Sequence, residues 1–149
     1  MRRAVAVLIV VSLLTLVSCK ATPSATDVLS SFCDAYHIDS QVYSSLSEYG
    51  DDGYIDPDML RALYGMDDAP VDEFALILYG KVSIVREVGV FIARSGEERM
   101  KAYEIASERV ELLSSLADGE GFVRKYKGVI VYGFVDDSAK AIGILEKII

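Results

Sequence analysis

The sequence predicts an α+β domain of two layers. A small, mostly antiparallel sheet of three to four strands is packed by a long helix and a C-terminal helix, with N-terminal helices before it. Three observations carry this expectation. Val129–Val135 is apolar on both alternating faces, the pattern of an interior strand. Ser95-Gly96-Glu97-Glu98 is a capping box, and it opens a helical periodicity that runs to about Ala117. Residues 71–79 and 87–93 are two-sided apolar runs joined by a short linker, which suits an antiparallel pair.

The elements follow in order. Val28, Leu29, Phe32, Cys33 and Tyr36 lie on one helical face, with Thr26 or Asp27 as the cap. Val42, Leu46 and Tyr49 suggest a second short helix in a serine-dense stretch. Residues 50–53 (Gly-Asp-Asp-Gly) read as a turn. Asp56-Pro57-Asp58 starts a short helix through Leu60, Leu63 and Tyr64, ended by Gly65. In the first strand Phe74, Leu76 and Leu78 oppose Ala75, Ile77 and Tyr79. In the second, Val88, Val90 and Ile92 oppose Gly89, Phe91 and Ala93. The long helix is expected to bury Met100, Tyr103, Ala106, Val110, Leu113 and Ala117, and to end at Asp118-Gly119. Residues 122–126 alternate apolar and basic, as a protected edge strand does, and Lys127-Gly128 is a turn. Asp136 or Asp137 caps a last helix whose inner face is Ala141, Ile142, Leu145, Ile148 and Ile149. The direction of the strands on either side of the long helix is not legible in the sequence.

The first residues have a different character. Arg2 and Arg3 precede an uncharged, mostly apolar run over residues 4–17, about 14 residues long where a spanning helix needs roughly 20. Leu16-Val17-Ser18-Cys19 follows and resembles the lipobox of bacterial lipoproteins. The resemblance implies cleavage between Ser18 and Cys19 and acylation of Cys19, with a palmitate-type anchor of two or more chains. The division expected is a signal peptide over residues 1–18, a lipidated Cys19 with a polar tether to residue 26, and one globular domain over residues 27–149. The exported chain would be held at the outer face of the bacterial cytoplasmic membrane, or at the outer membrane of a cell that has one.

Of 149 residues, 15 are basic and 23 acidic, a net charge of −8. Loss of Arg2 and Arg3 leaves 13 basic groups against 23, or −10. Such a surface repels phosphate backbones, so no nucleic acid partner is expected. Membrane association is expected through the N-terminal lipid rather than a basic patch.

No catalytic set stands out. His37 is the only histidine, and it reads as a solvent-facing residue at a helix end. Cys33 and His37 have i,i+4 spacing, but a structural zinc site wants four such ligands. Cys33 falls on an apolar stripe and reads as a small hydrophobe. Aligning Gly53 with the sixth position of a calcium loop puts Glu48 first, Gly50 third, Asp52 fifth and Met59 twelfth; the acid at twelve is missing. Weak calcium binding by the loop at residues 51–56 stays open. The acid pairs Asp51/Asp52, Asp67/Asp68, Glu97/Glu98 and Asp136/Asp137 all fall at turns or helix starts, where acids are structurally favoured. No metal and no cofactor is expected. The expected function is a non-catalytic binding or envelope-associated lipoprotein with an unidentified protein or envelope partner. The alternative is a carboxylate-based hydrolase acting on cell-wall polymer.

Four further segments, with the lipobox, resemble the bacterial lipoproteins grouped under domain of unknown function 4358. They are Leu63-Tyr64-Gly65-Met66-Asp67, Glu87-Val88-Gly89-Val90-Phe91, Arg109 on the long helix, and the glycine-led strand with its acidic turn over residues 128–137. The family implies a location and an architecture and brings no known activity.

Overall fold

The computed structural model describes residues 22–66, 71–81 and 85–149. The chain runs α1 (Ala25–Tyr36), β1 (Val42–Ser44), α2 (Pro57–Tyr64), β2 (Glu73–Tyr79), β3 (Arg86–Ile92), α3 (Gly96–Leu116), β4 (Glu120–Tyr126), β5 (Val129–Val135) and α4 (Ser138–Ile148). The five strands form one sheet in the order β1-β2-β3-β5-β4, and every neighbouring pair is antiparallel. The α+β class is thus the one the sequence predicts, with five strands rather than three to four. Since β3 and β4 both run against β5, they are parallel to each other. They are linked by α3, the long crossover that a parallel relation requires.

Two-sided strands need cover on both sides, and they receive it. On one face Ala75, Ile77, Val88, Val90, Ile92, Val129 and Val131 pack with Val28, Leu29 and Phe32 of α1 and with Ala141 and Leu145 of α4. On the other, Phe74, Leu76, Phe91, Ile130 and Tyr132 pack with Leu60 of α2 and with Ala102 and Ala106 of α3. The two late helices therefore lie on opposite faces, so the predicted two layers are in fact helix, sheet and helix.

Most helix boundaries have the caps their sequences promise. Asp56 accepts from the Met59 amide at 2.7 Å, Pro57 takes the first turn, and Gly65 closes α2 in the left-handed region at φ 66°. The Ser95 and Glu98 capping box is complete, and Asp137 caps α4 through the Lys140 amide. Four local expectations are corrected. Ser24, not Thr26 or Asp27, caps α1, so the helix starts at Ala25, which is fully buried. The stretch after Gln41 forms β1 rather than a helix. Val42 and Tyr43 suit a strand, and the open edge of β2 offers backbone partners that an isolated short helix lacks.

The buried stripe of α3 is Ala102, Ala106 and Leu113, while Met100 is 71% exposed. Small residues meet the sheet because the large aromatic rings of Phe91 and Tyr132 already fill the space beneath. Finally, α3 ends on an extended Ala117, without a left-handed glycine. Gly119 serves space instead, since a Cβ there would press on the Phe134 ring.

The register gives the molecule two distinct ends. Glu73, Ile92, Val129 and Tyr126 lie together at one end, where the Ala25 amide donates to the Glu73 carboxylate at 2.9 Å. The chain toward the N-terminus departs there. Leu78, Glu87 and Phe134 lie at the opposite end, five residues along β2, or about 17 Å away at the usual strand rise.

Candidate binding cleft

Four side chains from four elements meet at that far end. Glu87 is the second residue of β3, two before Gly89, and is 0% exposed. Tyr132 of β5 stands opposite Gly89 in the register, and only a glycine leaves room for its ring. Arg109 comes down from α3, and Tyr64 comes in from the last turn of α2. The phenol of Tyr132 donates to Glu87 Oε1 at 2.5 Å. That uses its only proton, so the Tyr64 hydroxyl is the donor in the 2.5 Å contact between the two phenols. Arg109 Nε and Nη2 donate to the Glu87 carboxylate at 3.0 and 2.6 Å, and Nη1 donates to the Leu63 carbonyl at 3.0 Å.

Packing around the network explains its rigidity. Phe91 stacks on Tyr132 with centroids 5.8 Å apart, and Tyr64 meets Phe74 and Phe91 edge-on. Burial, and then the Glu87 charge, push both phenols well above the ordinary tyrosine pKa, so they stay hydroxyl donors. Burial works against the Arg109 charge, but hydrogen bonding and attraction from Glu87 outweigh it and raise its pKa.

Above this floor lies a cleft of about 380 Å³ between α2 and α3. Residues 61–65 form one wall, and Ile105, Glu108, Arg109 and Leu112 form the other. Glu108 is exposed, and Leu112 is 46% exposed. Arg61 is held to Asp58 one turn back at 2.8 Å. A second arginine, Arg86, is tied to Asp136 outside the cleft and lies over the Phe134 ring.

The residues singled out from sequence chemistry lie elsewhere. Ser18 and Cys19 fall outside the described residues, as do Asp67 and Asp68. Cys33 is buried in the core on the opposite face of the sheet, where burial and then Asp34 raise its thiol pKa. His37 is exposed and forms the left-handed cap of α1 at φ 65°. In the loop before α2, Asp51 accepts from the Glu48 amide and Asp56 is engaged as a cap. Glu97 and Glu98 start α3, Asp136 pairs with Arg86, and Asp137 caps α4. Among the described residues, no group of three or more His, Cys, Asp or Glu is arranged to hold a metal.

The segments compared in the sequence with a lipoprotein family fare differently. They supply Tyr64, Glu87, Arg109 and Tyr132, and the fold brings these four into contact. The periodicity alone pointed past them. Its one usable signal was a carboxylate on the Gly89–Phe91 face of a strand apolar on both sides. A charge there demands a buried partner. Compared with known families, curated proteins and solved structures, the chain matches none.

Proposed function

We propose that this chain is an exported lipoprotein, acylated on Cys19 after cleavage behind Ser18. Its folded domain is a non-catalytic binding module that works outside the cytoplasmic membrane, through the cleft between α2 and α3. The anchoring half of this reading rests on the leader, where the lipobox stands at the end of an apolar run too short to span. Its resemblance to the lipoproteins of domain of unknown function 4358 supports the same address.

One observation carries the binding half. The buried carboxylate at the floor is spent on Arg109 and Tyr132, and among the described residues the cleft lining contains a single further carboxylate, Glu108. Hydrolysis by paired acids needs two carboxyl groups facing the scissile bond about 5–10 Å apart, and this lining favours recognition over that chemistry. The acidic balance of the chain argues against nucleic acid as the ligand.

Cys19→Ala tests the anchor. The variant should lose lipid labelling and leave the membrane fraction, or accumulate unprocessed. A Cys19→Ala chain that stayed lipid-labelled would end the proposal.

A further inference from the structure

We infer that the cleft takes a small zwitterion of the α-amino acid type with an apolar side chain, its carboxylate on Arg109 and its ammonium on Glu108. This rests on the reading of the cleft as the binding site and names its ligand class. An arginine carries five N–H donors in a planar fork. Glu87 takes that of Nε and one from Nη2, and the Leu63 carbonyl takes one from Nη1. One N–H on each terminal nitrogen is left without a partner among the described residues, on a side chain 9% exposed that lines the cleft. Two guanidinium donors suit a carboxylate. The neighbouring residue on α3, Glu108, puts an exposed acid into the same cleft.

Charge decides between ligands. Among the described residues Glu87 and Arg109 cancel and the lining Arg61 is paired with Asp58, so Glu108 leaves the site with one negative charge, in a chain whose net charge is −8. A bare carboxylate would add a second negative charge beside the first. A bare amine would satisfy Glu108 and leave the Arg109 donors covered and unpaired, which costs free energy. A zwitterion answers both groups and leaves the sum unchanged. Ile105, Leu112 and Ala62 offer apolar surface for its side chain. The volume, about 380 Å³, lies at the small end of ligand pockets, which run from roughly 300 to 1,000 Å³.

The test is calorimetric titration of the full chain in detergent micelles with leucine, N-acetylleucine and leucinamide. The last two lack the ammonium and the carboxylate respectively. Leucine should bind saturably, and each capped form about tenfold or more weaker. Glu108→Gln alters an exposed side chain, and an unchanged thermal melt verifies its fold. It should weaken leucine by a similar factor and leave N-acetylleucine unaffected. Equal binding of leucine and either capped form would overturn the zwitterion and keep the cleft as a site. So would undiminished leucine binding by Glu108→Gln. No saturable binding of any of the three up to about 10 mM would overturn the inference and remove the cleft from the functional reading. The anchor is read separately, through Cys19→Ala.

Discussion

Glu87 has no access to water, so its carboxylate depends on Arg109 and Tyr132 for every interaction it makes. Removing one partner of a buried pair leaves the other charge uncompensated, at a cost of about 3–5 kcal/mol. Replacing both with apolar residues is often far cheaper. Glu87→Leu and Arg109→Met should each destabilise strongly. The double variant should fall short of the sum by roughly 0.5–3 kcal/mol. Urea unfolding of the four proteins measures this, and additive losses would contradict a coupled pair. At this scale the sequence was half legible. A carboxylate inside a doubly apolar strand was visible in Glu87, whereas Arg109 entered only through the family resemblance. The helical stripe was read from apolar residues, and an inward arginine breaks that pattern by design of its buried partner. Met100 counted as core for the same reason, although the sheet beneath α3 accepts alanines there.

Among the elements, those with local chemistry were the most legible. The caps at Asp56, Ser95 and Asp137 bond to amides three residues away, so their signal is contained in a few letters. β1 was misread because its partner is Ala75–Ile77 of β2, far along the chain, and nothing local distinguishes a weak strand from a weak helix. The C-terminal helix tests whether its amphipathic pattern has the structural weight expected. Leu145 is fully buried, and Ile142, Ile144, Ile148 and Ile149 pack against the same core. A fully buried aliphatic is worth about 1.5–3 kcal/mol, against a total stability of about 5–15 kcal/mol for a domain. Deleting residues 142–149 should therefore leave an unfolded or molten chain. A cooperative thermal melt close to that of the full chain would refute the role assigned to α4.

Over the molecule as a whole, the buried phenols make stability sensitive to alkaline pH. Tyr64 and Tyr132 hold their protons more tightly folded than unfolded. Their contribution is complete below about pH 10, the ordinary tyrosine value, and is lost as pH rises above it. Unfolding midpoints should hold up to about pH 10 and fall above it, with a shallower fall in Tyr64→Phe. Identical slopes in the two proteins would contradict the burial of Tyr64. The two-ended register has another outcome. The chain leaves toward Cys19 beside Glu73, while the cleft sits beyond Glu87. Five residues separate Cys19 from Ser24 and span at most about 18 Å, much the same as the 17 Å or so between the two ends of the sheet. A lipid-held domain would thus sweep its mouth through the solution on a short leash. Turning fully over to face the bilayer would pull that leash taut. On the proposed reading, such a domain would meet its ligand from the aqueous side.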